Sequence, residues 1–140
     1  MNTNGIVLWV HAHKPKQLID FKFYCFNGKP TYMYRTVKAL DNNTQVFENF
    51  YDMDYNPVGI DHGFPRRKPE FPKSSNYELM QSLAAKISKD VPFLRVDFNE
   101  VNGKVYFREC TFYDWAGLRA FKGDWDKKLG ELLDINLAKN

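Results

Sequence analysis

Residues 93–112 constrain the fold of this chain more than any other part of its sequence. Apolar and polar residues alternate on both sides of Asn102-Gly103, which is the signature of a tight turn between two antiparallel strands. Three polar positions carry charged residues where a plain sheet favours neutral ones: Arg95, Asp97 and Glu109. Carboxylate oxygens suit Mg²⁺, and a guanidinium suits phosphate. The hairpin therefore predicts either a site for a cation and a phosphate or a solvated face of a sheet.

The register of this hairpin decides whether its two acids can meet. With a two-residue turn and a regular ladder, Asp97 lies opposite Arg108, and Glu109 points to the other face. A three-residue loop brings Arg95 opposite Glu109, and Asp97 and Thr111 then share that face. A β-bulge in either strand would have the same effect. The apolar pattern favours the regular ladder, whereas a metal site requires the loop or the bulge.

The first half of the chain predicts an antiparallel meander and then a long loop. Three segments read as strands, the first two flanking an Asn27-Gly28 turn: residues 19–26, 31–38 and 46–51. Residues 52–73 are rich in proline and glycine, so we expect a loop or flap there rather than a central strand or a helix.

Two helices are predicted in the second half. Residues 75–89 carry an apolar stripe at helical spacing, made of Met80, Leu83, Ala84 and Ile87. Ser75 and Glu78 match a capping box at its start. A shorter amphipathic helix begins near Trp125. Together these elements predict an α+β fold, with an antiparallel sheet and both helices packed on one of its faces.

Composition and cysteine usage narrow the class of protein. The net charge of +3 is too small to indicate a nucleic-acid partner. No apolar run approaches the roughly 20 residues that span a bilayer, so we expect no membrane span. Cys25 and Cys110 form no Cys-x-x-Cys pair and are predicted to be small buried side chains. These features favour a cytoplasmic, single-domain protein of residues 1–140.

Other residues are weaker candidates for a functional site. His11 and His13 lie on one side of an extended segment but have no third ligand nearby. His62 is expected to face solvent, and Asp52 and Asp54 are expected to serve a turn. The sequence contains neither a nucleophile-elbow motif nor a phosphate-binding P-loop.

Five motifs that occur in order resemble the TupA-like branch of the ATP-grasp superfamily. They are Asp20-Phe-Lys-Phe-Tyr-Cys-Phe-Asn-Gly-Lys-Pro30, Phe50-Tyr-Asp-Met-Asp-Tyr55, Pro92-Phe-Leu-Arg-Val-Asp-Phe98, Asn102-Gly-Lys-Val-Tyr-Phe-Arg-Glu-Cys-Thr-Phe112 and Trp125-Asp-Lys-Lys-Leu-Gly130. That branch is associated with teichuronopeptide and other bacterial surface-polysaccharide biosynthesis. Its superfamily clamps ATP between two α+β subdomains and joins a carboxylate to an amine through an acyl phosphate.

The resemblance implies ATP and Mg²⁺ as cofactors and assigns roles to particular residues. Metal ligands would be Asp97, Glu109 and Thr111. Arg95 would neutralise charge on the transferring phosphoryl group, and Asp20 and Lys22 would lie on the nucleotide side. One departure is the turn after Thr111, where residues 113–117 replace the expected glycine-rich turn.

The resemblance covers the C-terminal half of the family, with residues 1–18 as an atypical lead-in. It implies a ligase module for surface or capsular polysaccharide synthesis that acts on a carboxylate or glycan substrate. A separate N-terminal-half protein would be its partner, because half a clamp should bind ATP poorly. The alternatives are a non-catalytic remnant, or a polysaccharide-binding module that uses aromatics such as Trp115. The sequence leaves open the donor and acceptor, the oligomeric state and activity of the chain alone.

Overall fold

The computed structural model describes residues 18–38, 45–113 and 120–136. The strands are β1 (Leu18–Phe26), β2 (Lys29–Lys38), β3 (Val46–Asp52), β4 (Pro57–Val58), β5 (Phe93–Val101) and β6 (Lys104–Thr111). The helices are α1 (Tyr77–Ile87) and α2 (Trp125–Gly130). Within the described residues the strands form one antiparallel sheet in the order β4-β3-β2-β1-β5-β6. The predicted α+β class and antiparallel sheet are confirmed.

Two hairpins with the same turn chemistry build the sheet. Asn27 and Gly28 join β1 to β2 with φ of 53° and 76°, and Asn102 and Gly103 join β5 to β6 with φ of 50° and 75°. Two successive left-handed residues match the right-handed twist of the flanking strands. Gly28 is also constrained by space, because an added Cβ would lie 3.3 Å from the Cα of Lys89.

The first face of the sheet packs against α1. Tyr77, Met80 and Ala84 of the helix are fully buried against strand residues that include Phe23 and Val96. The predicted capping box is wrong: the N-cap position falls at residue 76 and has no side-chain capping hydrogen bond. Glu78 instead forms an ion pair with a lysine outside the helix, so its carboxylate is not available to the N-terminus.

The second face carries α2, which corrects the prediction that both helices share one face. Leu129 packs with Tyr24 and Phe26, and these strand residues alternate with those that contact α1. The reason is that residues 23–26 of β1 are apolar on both faces, so each face needs a cover at this end of the strand. The side chain of Asn27 donates to Leu132 O at 2.6 Å and accepts from Asp134 N at 2.8 Å, which holds the segment after α2 against the β1–β2 turn.

The structure also tests three smaller predictions. The predicted loop of residues 52–73 contains β4, a two-residue edge strand, where proline is tolerated because an edge strand needs no second partner. Asp52 serves its turn as predicted, since its Oδ1 accepts from Asp54 N at 2.9 Å and from Asn56 N at 2.8 Å. Cys25 is buried, but Cys110 is exposed on edge strand β6, which corrects the prediction for that thiol.

Several predictions concern residues outside the described part of the chain. They are the predictions for residues 1–17 of the 1–18 lead-in, for the histidine pair His11 and His13, and for Trp115. Among the described helices, none has the length and apolar character needed to cross a membrane.

The packing of α1 generates a test with neighbouring residues. Met80 is fully buried, whereas Leu79 is 50% exposed. We expect Met80→Ala to lower the free energy of unfolding by about 2 to 5 kcal/mol, because it leaves a cavity under the helix. Leu79→Ala should change it by less than about 0.5 kcal/mol. Urea unfolding of both variants measures this, and equal losses would contradict the assigned orientation of α1.

Candidate functional site

A β-bulge in the β5–β6 hairpin sets the geometry of the site. From the turn outward the ladder is regular as far as the pair Phe98 and Phe107, and then Asp97 pairs with Glu109. Arg108 is therefore an extra residue, and Thr111 lies opposite Arg95. The apolar pattern predicted a regular ladder, and this prediction is wrong. The β-bulge, which was the open alternative, is present.

The bulge decides which side chain of β6 lies opposite Val96 on the α1 face of the sheet. A regular ladder would place Glu109 opposite Val96, which is fully buried there. With the bulge, Cys110 pairs with Val96 instead, and Glu109 pairs with Asp97.

Arg95 joins the two acids. Its Nε donates to Asp97 Oδ1 and its Nη2 to Asp97 Oδ2, both at 2.8 Å, in the bidentate geometry of strong guanidinium–carboxylate pairs. The same Nη2 lies 3.4 Å from Glu109 Oε1. Asp97 is buried, with 1% of its side chain exposed, whereas that of Glu109 is 49% exposed. The structure thus brings together the predicted Arg95, Asp97 and Glu109.

Burial dominates the electrostatics of Asp97. Removing this carboxylate from water raises its pKa from 3.8 to about 6, although the Arg95 hydrogen bonds and charge pull the pKa down. The ion pair therefore only partly offsets the desolvation of the acid. A further positive group near Asp97 would stabilise its ionised form.

Asp20 and Lys22 lie on β1, the strand next to β5. Lys22 pairs with Asp97 across the ladder, and its Nζ forms an ion pair with Asp20. Thr36 Oγ1 on β2 donates to Asp20 Oδ2 at 2.9 Å. These predicted nucleotide-side residues therefore adjoin the Arg95 cluster on the same face of the sheet.

A cavity of about 540 Å³ opens beside this cluster. Of the predicted site residues, Lys22, Arg95 and Thr111 line it, whereas Asp20, Asp97 and Glu109 do not. The rest of the lining comprises Tyr34, Thr36, Val37, Val46, Glu48, Phe64 and Tyr113. The cavity thus has a cationic wall and an apolar wall.

Sequence reasoning missed a buried pair at this cavity. Glu48 and His62 are 4% and 3% exposed, so the prediction that His62 faces solvent is wrong. His62 Nδ1 lies 3.0 Å from Glu48 Oε1, and its ring stacks on Phe121 at 4.0 Å between centroids. A histidine in a proline-rich loop gives no burial signal. Glu48 could have been found, because strand alternation places it on the same face as Phe50.

The residues fit a magnesium ion that is bound together with phosphate rather than one bound by protein alone. Within the described residues there is no group of three or more His, Cys, Asp or Glu side chains that could hold a metal. Asp97 and Glu109 nevertheless carry hard carboxylate oxygens at paired positions, although both oxygens of Asp97 accept hydrogen bonds from Arg95. Mg²⁺ in nucleotide enzymes is commonly held by one or two carboxylates together with substrate phosphates. This donor set matches that pattern.

A protein-family model described as TupA-like ATPgrasp matches residues 8–134. The chain belongs to the TupA-like ATP-grasp family. No curated protein and no solved structure matches the chain. Membership supports ATP binding and a ligase-type module for this TupA-like ATP-grasp chain. The position of its polar cluster beside an open cavity is compatible with both.

The raised pKa of Asp97 generates a prediction for stability. Because the folded-state pKa of about 6 exceeds the ordinary 3.8, the folded chain holds this proton more tightly than the unfolded chain. The contribution of Asp97 to the free energy of unfolding therefore falls as pH rises through this window, by at most about 1.4 kcal/mol per pH unit. Asp97→Asn should lack this fall when urea unfolding of both proteins is compared across the window. Parallel pH profiles would contradict the assignment.

Proposed function

We propose that this chain binds the triphosphate of Mg·ATP at Arg95, Asp97 and Glu109 as part of a carboxylate–amine ligase for bacterial surface-polysaccharide synthesis. One observation carries the proposal: the bulge at Arg108 pairs the two acids on one face and leaves Arg95 between them. Family membership supports the nucleotide and the ligase class. The polysaccharide pathway is the setting that the TupA-like resemblance implies.

Asp97 and Glu109 are the residues that would hold the metal. Bound there, Mg²⁺ would supply charge neutralisation for the phosphates. Asp97 is held by its bidentate pair with Arg95, which would have to give up one carboxylate oxygen to the ion, whereas Glu109 is exposed enough to turn toward a ligand. Thr111 lies opposite Arg95 and lines the cavity, so its hydroxyl is placed to contact the same phosphates.

Arg95 and Lys22 supply positive charge on the cavity wall. In the reaction proposed, a substrate carboxylate oxygen attacks the γ-phosphorus of ATP, the bond to the β-phosphate oxygen breaks and ADP leaves. An amine then attacks the acyl carbon, loses a proton and releases phosphate. Charge spreads over the transferring phosphoryl oxygens, and a guanidinium within reach stabilises that charge without moving a proton. Lys22 would hold a phosphate oxygen as a point charge.

The described sheet provides one wall of such a site. Glu109 and Tyr113 are exposed, and the cavity beside the strands is open. ATP-grasp catalysis encloses the nucleotide between two subdomains, which excludes water and strengthens each electrostatic contact. We therefore propose that this sheet binds the nucleotide and that full activity requires a facing subdomain.

A second candidate function is glycan binding, and one observation favours it. A cavity of about 300 Å³ on the α2 face is lined largely by aromatic side chains, including Phe93 and Phe121. At its rim, Phe112 and Tyr113 are 61% and 77% exposed. Exposed rings provide apolar faces with specific geometry for a flat partner. Binding of surface-polysaccharide fragments without any response to nucleotide would favour this function over the ligase module.

The ligase proposal predicts a magnesium-dependent affinity for ATP. The double variant Asp97→Asn plus Glu109→Gln should lose at least about tenfold in Mg·ATP affinity, because both hard anionic ligands become neutral amides. Its affinity for ATP in the presence of a chelator should change much less, since Lys22 and Arg95 remain. Isothermal titration of the full chain measures both.

The matched control is Glu78→Gln plus Asp90→Asn. It removes the same two charges from exposed positions in and just after α1, on the other side of the sheet. The control should bind Mg·ATP like the parent chain. Equal losses of Mg·ATP affinity in the two double variants would mean that net charge, and not a specific site, determines binding. That result would contradict the proposal.

A further inference from the structure

The aromatic cavity on the α2 face adjoins the cavity beside the polar cluster, and Tyr113 lines both of them. On β5, Arg95 lines the larger cavity and Phe93 lines the smaller one. On β1, the corresponding residues are Lys22 and Tyr24. The members of each pair are two residues apart on one strand, so they share a face of the sheet and lie about 7 Å apart. The two cavities therefore lie end to end along the same strands.

This spacing suits the second substrate of a two-substrate reaction. In the proposed ligase reaction, an amine attacks an acyl phosphate that forms beside Arg95. The reacting atoms have to approach within about 3.5 Å. A molecule bound over Phe93, one two-residue step along β5 from Arg95, can extend a reacting group that far. The smaller cavity is therefore placed to hold the amine substrate while the larger cavity holds the triphosphate.

The charges that line the two cavities differ. Lys22 and Arg95 line the larger cavity. Among the described residues that line the smaller cavity there is no cation, and Asp126 is the one charged side chain. A carboxylate there favours a ligand that carries a positive charge, and it repels a second carboxylate. The smaller cavity thus suits the amine substrate and disfavours the carboxylate substrate.

The helix and the preceding loop fix the position of Asp126. Asp126, Leu129 and Gly130 are three and four residues apart on α2, so they share the side of the helix that lines the cavity. Asp126 Oδ1 accepts a hydrogen bond from Phe121 N at 3.1 Å. Both oxygens of a carboxylate can accept, so Oδ2 can take a donor from a ligand.

The aromatic rings of the lining complement this carboxylate. Phe112 and Tyr113 are 61% and 77% exposed, so their rings can contact a ligand. An aromatic face attracts an ammonium group electrostatically, and its apolar surface packs against the body of a ring. Ring faces together with one carboxylate favour a cyclic ligand that carries an amino group.

We infer that the smaller cavity is the subsite for the amine substrate, and that Asp126 selects an amine-bearing ring, such as an amino sugar, over the same ring with a hydroxyl group. The inference rests on the proposed function, because it takes the neighbouring cavity to hold the triphosphate. Asp126 is thus a specificity-determining residue for the amine.

The test compares D-glucosamine with D-glucose, which carries a hydroxyl group in place of the amino group. Saturation-transfer NMR on the full chain, at a pH where the amine is protonated, measures both affinities. The chain should prefer glucosamine by about fivefold or more, because only the ammonium group gains from the carboxylate and the ring faces. Asp126→Asn should lose this preference and bind glucose as the parent chain does, because the rings remain. Saturating Mg·ATP should not displace glucosamine, since the two ligands occupy different cavities.

The matched control is Asp124→Asn. Asp124 lies two residues away, forms an ion pair with Lys128 at 3.0 Å and is not among the described lining residues of the cavity. The substitution removes the same charge, and the variant should keep the parent preference for glucosamine. Equal losses in the two variants would mean that net charge attracts the amine, and would overturn the role of Asp126.

The remaining outcomes separate this inference from the proposed function. Binding of neither sugar, equal binding of both, or competition between glucosamine and Mg·ATP overturns the inference. If Mg·ATP affinity still depends on Asp97 and Glu109, the proposed function stands after any of these results. A chain that prefers glucosamine through Asp126 but binds no Mg·ATP overturns the proposed function, and with it the place of the amine in that reaction. If Asp126→Asn does not fold, the parent preference still decides: a ratio below about twofold overturns the inference.

Discussion

The site depends on one extra residue in an edge strand. Without Arg108 as a bulge, the regular ladder would send Glu109 to the α1 face, opposite the fully buried Val96. With the bulge, the same acid pairs with Asp97 and lies within reach of Arg95. The single extra residue therefore assembles the polar cluster.

The two faces of the sheet have different roles. Under α1 the face is apolar and aromatic, with fully buried residues such as Phe21 and Phe98. On the other face aromatics lie under α2 and under the loop that carries His62, and the strands also present charged and hydroxyl side chains beside an open cavity. Packing on the apolar face keeps the strands in register. A binding site built on adjacent strands requires this fixed register.

Much of the fold was predictable from local patterns, but the helix placement was not. The Asn-Gly turns and the strand alternation gave the hairpins, and the stripe through Met80 and Ala84 gave α1. Alternation cannot tell which face a short helix covers when both faces of the nearby strand are apolar, as in residues 23–26 of β1, so α2 was misplaced. The burial of His62 depends on packing between a loop and Phe121, which are distant in sequence.

The candidate site was predictable in its residue types and open in its geometry. Arg95, Asp97 and Glu109 stood out as charges in a strand, but a bulge leaves no clear trace in the sequence because it shifts the pattern only after Arg108. The shift becomes evident at Cys110, which takes the place opposite Val96 that a regular ladder would give to Glu109. Glu48 was missed because a single acid in a predicted strand resembles a solvated position, although alternation with the buried Phe50 indicates its face.

We propose that two acids on paired strands share one ion together with nucleotide phosphates. A crystal structure of the chain with Mn²⁺ and a non-hydrolysable ATP analogue would test this, with anomalous scattering used to locate the metal. We expect a single peak between the carboxylates of Asp97 and Glu109, with phosphate oxygens completing its coordination. A peak elsewhere, or one bound to neither carboxylate, would contradict it.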